Sequence, residues 1–316
     1  MFEVSRYTPE LCDTWNAFVK NSKQGTFLFD RRYMDYHADR FHDHSLMIWQ
    51  NGRLMALLPA NACGQVLYSH QGLTYGGMIT DEKATQETVC NAFDTVTSLL
   101  RDEGFNKVVY KPVPHIFHRM PAEEDLFAIS LRYGARLVSR DASATISMDH
   151  RLRFAESRRS GLRKALANGV KIAWTDDLES FWTILSRNLA DKYGSKPVHS
   201  VEEMRMLMHN FPDNIKLCMA YRNDGEPLGG TILYITQQVV HTQYISASGD
   251  GKKLGALDLL FHHLINETQF TQKYFDFGTS AMDNSNELKH PLLFQKLGFG
   301  GRTVCYDTYE WTVSQL

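Results

Sequence analysis

The chain has 316 residues, 43% of them hydrophobic and 22% charged, which is ordinary for a globular protein long enough to form two domains. Its formal net charge of −2 excludes a global basic field for nucleic acid, so an anionic partner would have to meet a local basic patch. Five scattered cysteines without a CxxC pair favour free thiols in a reducing compartment over a disulfide framework. The first residues lack a signal-peptide pattern, and no stretch reaches 18 consecutive apolar residues, so we expect a cytoplasmic protein without a membrane span.

Segments of the first half of the chain recur in the second half in the same order. A pattern at the start of an amphipathic helix returns 167 positions later: Thr8, Leu11 and Trp15 match Thr175, Leu178 and Trp182. Two later matches are spaced by 166 positions: Lys107 with Lys273, and Arg136 with Arg302. Common α/β patterning is the alternative explanation, but the shared order favours an internal repeat.

Each copy is predicted to run helix, extended segment, two or three strands, helix, strand, helix, strand. This order is typical of an α/β fold with a mixed sheet and helices on both faces. A boundary near residues 145–155 divides the chain into predicted domains 1–148 and 149–316.

The second copy carries the more informative strand. Residues 239–249 alternate, which predicts Tyr244 and Ser246 on one face and His241 on the other. The Gly-rich turn that follows contains Lys252 and Gly255 and leads into an amphipathic helix. Because the N–H groups at the start of a helix are unpaired, such a turn can cradle a carbonyl or a phosphate.

A carboxylate lies inside the aromatic strand that comes next. Asp276 stands in the sequence KYFDFGTS, and it is either a general base or a buried partner that holds the following loop. Ser280 and Asp283 in that loop are candidates for contact with a substrate.

Residues 151–171 hold seven lysines and arginines against one acid, Glu156. A run of this kind is often only a solvated helix face, but here it is the strongest anion attractor in a slightly acidic chain. The candidates for gripping phosphate groups are Arg158, Arg159, Arg163 and Lys164.

In the first copy, residues 67–79 are rich in small and aromatic residues. His70 is either catalytic or a structural histidine, and Tyr75 and Arg32 are candidates for an acceptor side of the site. The sequence contains no GxSxG, HExxH or P-loop motif and no zinc-type Cys/His spacing, so we expect no metal. Direct transfer from an activated ester or thioester to an amine would need no covalent nucleophile.

The tract SRRSGLRKALANGVKI resembles the entry to the second domain of FemAB-like proteins, and HTQYISASGDGKKLGALDLLFHHLI, KYFDFGTS and LLFQKLGFGG are similar to that domain's end. The resemblance covers residues 153–311. It implies two tandem GNAT-like domains and an acyl or aminoacyl transferase that forms an amide on a cell-envelope or polysaccharide precursor. The donor would be an acyl-CoA or an aminoacyl-tRNA, with no tightly bound cofactor.

Two alternatives stay open: an acyl-CoA-dependent N-acetyltransferase, and a non-enzymatic binding protein with degenerate transferase folds. The sequence therefore predicts three groups of site residues. The catalytic group is His241, Tyr244 and Asp276. The substrate-binding group is Arg32, His70, Tyr75, Arg158, Arg159, Arg163, Lys164, Ser246 and Ser280, with an anionic small molecule or a lipid- or nucleotide-linked precursor as partner, and tRNA as a further one. The donor-binding group is Lys252, Leu254, Gly255 and Ala256.

Overall fold

A computed structural model describes residues 1–280 and 290–313 and groups them in two units. The first unit contains Met1–Asp141 and the chain from Cys305 onward, and the second contains Ala142–Val304. Each has mixed strands and flanking helices, so the α/β prediction is confirmed.

The elements of the first unit alternate as the repeat predicts. They are β1 (Phe2–Arg6), α1 (Cys12–Asn21), α2 (Arg31–Met34), β2 (His42–Asp43), β3 (Leu46–Gln50), β4 (Arg53–Leu58), β5 (Asn61–Cys63), β6 (Val66–Tyr68), β7 (Ile79–Thr80), α3 (Gln86–Asp102), β8 (Lys107–Tyr110), α4 (Glu124–Tyr133) and β9 (Arg136–Ser147), which continues into the second unit. One sheet has the order β1-β3-β4-β7 and is antiparallel.

Helix α3 shows how the sequence specifies these elements. Thr85 and Thr88 form a reciprocal capping box at its start. Val89, Phe93 and Leu100 then lie on one buried stripe that packs into the core of the unit.

The second unit contains the remaining elements. They are α5 (Glu156–Ala167), β10 (Lys171–Thr175), α6 (Leu178–Tyr193), α7 (Val201–Asn210), β11 (Ile215–Tyr221), β12 (Pro227–Ile235), β13 (Val239–Ala247), α8 (Gly249–Leu254), α9 (Ala256–His262), β14 (Tyr274–Thr279), α10 (His290–Leu297) and β15 (Arg302–Thr312), which ends in the first unit. The sheet order in this unit is β10-β11-β12-β13-β14-β9; β13 and β14 pair in parallel, and the other neighbouring pairs in this order are antiparallel.

The first sequence copy ends in β9, whose last residues belong to the sheet of the second unit. The second copy ends in β15, whose last residues belong to the first unit. Residues 143–147 of β9 pair with β14, whereas residues 309–312 of β15 pair with β8. Trp311 and Val313 are buried in the core of the first unit. A division at residue 148 would group residues 305–316 with the second domain, whereas the contacts group them with the first.

A β-bulge changes the predicted faces of β13. The register pairs Ile232 with Tyr244 but Tyr234 with His241, so Gln243 is an extra residue. Because cross-strand partners share a face, His241 lies on the same face as Tyr244 and Ser246. The simple alternation that placed His241 on the opposite face is therefore wrong.

Among the described residues, no helix has the length and apolar character needed to cross a membrane.

Candidate active site

The centre of the candidate site is an aspartate–histidine pair on neighbouring parallel strands. His241 of β13 lies in register with Asp276 of β14, and its Nδ1 is 2.7 Å from Oδ2 of Asp276. Asp276 is fully buried, and His241 is 9% exposed.

Two hydroxyl groups hold the other oxygen of this carboxylate. Ser143 Oγ and Thr145 Oγ1, both on β9, donate to Asp276 Oδ1 at 2.5 and 2.6 Å. The Gly278 N–H donates to Oδ2 at 3.3 Å. Burial opposes ionisation of Asp276, but the hydrogen bonds from His241, Ser143 and Thr145 outweigh it and hold its pKa below the ordinary value.

This arrangement determines which nitrogen of His241 carries the proton. An ionised carboxylate only accepts hydrogen bonds, so the histidine Nδ1 must be the donor. In the neutral ring, Nε2 is then unprotonated and able to accept a proton. The pair has the chemistry of an oriented general base, with a carboxylate that fixes the tautomer.

A second pair lies further along the same face of β13. Tyr244 Oη is 2.6 Å from Nδ1 of His199, and the tyrosine ring packs edge-on against Trp182. Ser246 Oγ accepts a hydrogen bond from Asn188 Nδ2 at 2.7 Å, and Lys252 donates to Asn188 Oδ1 at 2.8 Å. The bulge thus aligns three polar groups along one strand face.

Beyond His241 and Asp276 the two parallel strands stop pairing, although β13 continues to Ala247 and β14 to Thr279. A cavity of about 220 Å³ lies there, with an apolar wall that includes Phe261, Phe277 and Phe299. Its cationic lining is Lys192, Lys252 and Lys296. The cavity therefore combines an apolar slot with positive charge.

Gly278 lies beside the dyad. Its φ is +72°, and an added Cβ would lie 3.2 Å from His241 Cε1. Its carbonyl accepts a hydrogen bond at 2.8 Å from the buried Lys296, which also donates to the Thr279 carbonyl at 2.7 Å. Lys296 therefore secures the turn that carries Asp276 and lines the cavity at the same time.

Three arginines of the basic helix α5 form ion pairs with acids. Arg158 Nη1 lies 2.9 Å from Asp258 Oδ1 on α9, and its guanidinium lies over the Phe299 ring. Burial raises the pKa of Asp258 to about 6 although Arg158 opposes the shift. Arg159 and Arg163 both pair with Glu156.

Of the predicted anion-gripping residues, then, Arg158 joins α5 to α9, whereas Lys164 is exposed. Phosphate binding by this group stays a prediction.

The predicted donor-binding turn is closely packed. Gly255 has φ +74°, and an added Cβ would lie 2.3 Å from the carbonyl oxygen of Gly161 on α5. Ala256 is fully buried, and Leu254 packs against the core of the second unit. Lys252 alone among the four predicted donor-binding residues lines the cavity.

The first-unit candidates have structural partners. Arg32 forms two hydrogen bonds with Asp30, at 2.9 and 2.8 Å. Tyr75 is buried and donates to Thr26 Oγ1 at 3.2 Å. Their contact with an acceptor stays a prediction.

His70 is buried with φ +73°, and desolvation together with His37 lowers its pKa to about 3. A histidine that stays neutral in this way fits the structural alternative considered from the sequence.

Ser280 is buried at the end of β14, and its N–H donates to the Ala142 carbonyl. Asp283 lies outside the described residues. Within the described residues, no group of three or more His, Cys, Asp or Glu side chains could hold a metal ion.

Sequence reasoning missed Ser143, Thr145, Asn188, His199 and Lys296. The only available signal was the alternation of Ser143 and Thr145 in a strand, which places both on one face.

Comparison with known proteins identifies a domain family for part of the chain. Residues 153–286 match the model of the acetyltransferase (GNAT) domain. No curated protein matches the sequence.

Similar solved structures extend over nearly the whole chain. FemX has a TM-score of 0.68 at 12% identity, with 99% of this chain and 98% of FemX covered. A conserved protein of unknown function from Bacteroides thetaiotaomicron has a TM-score of 0.62 at 13% identity, with 99% of each chain covered. L-PGS from Bacillus licheniformis has a TM-score of 0.58 at 11% identity, with 99% of this chain and 94% of L-PGS covered.

Proposed function

We propose that this chain, whose residues 153–286 match the acetyltransferase (GNAT) domain and whose fold is similar to that of FemX, transfers an acyl or aminoacyl group from an activated ester or thioester to an amine. The observation that carries the proposal is the His241–Asp276 pair beside a cavity lined by lysines.

In the proposed reaction, Nε2 of His241 accepts a proton from the attacking amine as its nitrogen bonds to the donor carbonyl carbon. Asp276 keeps Nδ1 protonated and stabilises the imidazolium that forms. The tetrahedral intermediate then collapses, the bond from carbon to the leaving sulfur or oxygen breaks, and the proton passes from His241 to the leaving group. The products are an amide and the free carrier.

The cavity suits an activated arm attached to an anionic carrier. Its aromatic wall would exclude water from the reacting ester, and Lys192 and Lys252 supply charge for phosphate groups. Acyl-CoA and aminoacyl-tRNA both meet this description. As acceptor we propose an amine on a cell-envelope or polysaccharide precursor, in line with the FemAB resemblance of residues 153–311.

The competing hypothesis of a degenerate binding protein expects side chains such as Tyr244 or Phe277 to plug the groove. Phe277 instead forms part of the wall of an open cavity, and Tyr244 is turned to His199. These positions support a transferase over a non-enzymatic binding protein with degenerate transferase folds.

The test is a transfer assay with acetyl-CoA and, in parallel, charged tRNA, using amine-bearing envelope precursors as acceptors and mass spectrometry to detect the amide. His241→Gln should lower the rate by about 10²–10⁴-fold, since general base catalysis contributes that much. Wild-type rates in His241→Gln, or no transfer and no binding with either donor, would contradict the proposal.

A further inference from the structure

A second, larger cavity lies in the second unit at the edge of its sheet. It has a volume of about 890 Å³ and is lined by the ends of β10 and β11, the end of α7 and residues 268–272. It shares no lining residue with the 220 Å³ cavity, and no step of the proposed transfer uses it.

An exposed aromatic face is its most unusual feature. Trp174, on the edge strand β10, is 43% exposed, whereas Trp15, Trp182 and Trp311 are at most 6% exposed. Phe270 meets Trp174 edge-on, with the rings at 85° and their centroids 6.5 Å apart. Since Trp174 is 43% exposed despite this contact, part of its apolar indole surface is open to a ligand.

The lining also provides short polar groups suited to hydroxyls. Asp176, Asp213, Gln269 and Thr271 are exposed along the cavity, and within the described part of the chain no ion pair engages either carboxylate. Their oxygens and amide groups can accept from and donate to neighbouring hydroxyl groups.

The charge of the lining disfavours an anion. Arg205 is paired with Glu179, which leaves the charge of Lys216 against those of the two aspartates. This is the opposite of the lysine-lined cavity beside the dyad. The ligand should therefore be uncharged, with an apolar face for the indole and several hydroxyls for the rim.

From this combination we infer that the cavity is a binding site for a neutral saccharide, whose C–H face lies on Trp174 and whose hydroxyls bond to Asp176, Asp213 and Gln269. A proline-rich peptide would prefer rings set side by side as a slot, and the edge-on pair formed by Trp174 and Phe270 does not form one. The inference is independent of the transfer reaction.

The experiment titrates the full chain with glucose, galactose, mannose and N-acetylglucosamine, and with glucuronic acid as the anionic comparison. Intrinsic fluorescence and calorimetry are the readouts. A neutral sugar should bind saturably and shift the emission of Trp174 to shorter wavelength, because its indole is the one that a ligand in this cavity would cover.

Trp174→Ala should weaken binding about three- to tenfold or more, since one stacked aromatic contributes on that scale. Asp213→Asn, which keeps the reporter, should also weaken it. Trp49→Phe in the first unit and His241→Gln at the dyad are matched controls that should bind like wild type. Thermal melting of Trp174→Ala should stay near wild type, because the side chain is half exposed.

The inference is overturned by absence of binding for every neutral sugar, by equal binding to Trp174→Ala, by stronger binding of glucuronic acid than of the neutral sugars, or by a proline-rich peptide that alone produces the Trp174-dependent signal.

Discussion

Replacing Asp276 with asparagine tests the buried hydrogen-bond network directly. The carboxylate accepts from Ser143, Thr145, His241 and the Gly278 N–H, and it is fully buried. Asparagine has nearly the same shape as aspartate but no charge. Its NH₂ group is a hydrogen-bond donor and would face other donors, such as the hydroxyls of Ser143 and Thr145, that now bond to the carboxylate. Both effects weaken the network without opening a cavity.

The magnitude follows from these contacts. A hydrogen bond to a charged group contributes about 1.5–3 kcal/mol to the free energy of unfolding, and a bond between neutral groups about 0.5–1.5 kcal/mol. Replacing the carboxylate by a neutral amide therefore loses about 1 kcal/mol for each short bond. Three short bonds give about 3 kcal/mol. The lowered pKa of Asp276 shows that these bonds already exceed the desolvation penalty, so removing the charge does not recover the loss. In a unit of this size the midpoint temperature should fall by about 6–12 °C.

The assay is urea and thermal unfolding of both proteins between pH 7 and pH 3. Asp250→Asn is the matched control, because Asp250 is exposed on α8 and pairs only with Lys253 among the described residues, so it should change stability little. Nitrogen-15 NMR of His241 should show protonated Nδ1 in wild type, and the signal should change in Asp276→Asn.

The contribution of Asp276 to folding stability depends on pH in a defined direction. Because the folded pKa of Asp276 is depressed, its contribution is fully present above the unfolded value of 3.8 and is lost as the pH falls through the folded pKa. The gap between wild type and Asp276→Asn should therefore be constant from pH 7 to about 5 and shrink only in stronger acid. Equal stability of the two proteins at pH 7 would refute the reasoning.

Three further predictions concern other parts of the chain. Gly255→Ala should destabilise the second unit by more than about 3 kcal/mol in urea unfolding, because the new Cβ would overlap the Gly161 carbonyl and the residue would also be strained by its left-handed φ. The control Gly104→Ala, at φ +81° with open space around the new Cβ, should lose only about 1–2 kcal/mol. Equal losses of stability in the two variants would contradict the overlap argument. Burial lowers the pKa of His70 to about 3, so its contribution to stability is present above the unfolded pKa and is lost as the pH falls below about 6.5. Wild type should therefore lose about 2 kcal/mol more than His70→Asn between pH 6.5 and 5, and parallel pH slopes of stability for the two proteins would contradict the burial argument. Lys252→Gln should weaken binding of an anionic donor several-fold in calorimetry, whereas Lys253→Gln should not. Of these two neighbouring lysines, Lys252 lines the cavity and Lys253 does not, and the side chain of Lys253 is 78% exposed. Identical affinities of the two variants would remove Lys252 from the donor site.

Local patterns were sufficient to predict much of this protein. The matched helix starts are real elements, since Trp15 and Trp182 are buried on α1 and α6, and Arg136 and Arg302 each begin a long strand. The mixed α/β class follows from the order of these elements, and each depends on periodicity and capping within about twenty residues. His241 and Asp276 could be singled out because polar groups in apolar strands need partners.

Only the tertiary structure decided how these residues work together. The bulge at Gln243 reversed the face of His241, and a bulge is a property of pairing between β12 and β13 that alternation in one strand does not encode. Ser143 and Thr145 reach Asp276 from more than 130 positions away, through the end of β9. The basic run of α5 suggested an anion site, and in the structure three of its arginines pair with only two acids, Glu156 and Asp258. Local sequence thus determined the elements and the candidate acid–base residues, whereas strand register, exchange of the last strands and charge pairing arose from long-range contacts, because those depend on which distant segments pack together.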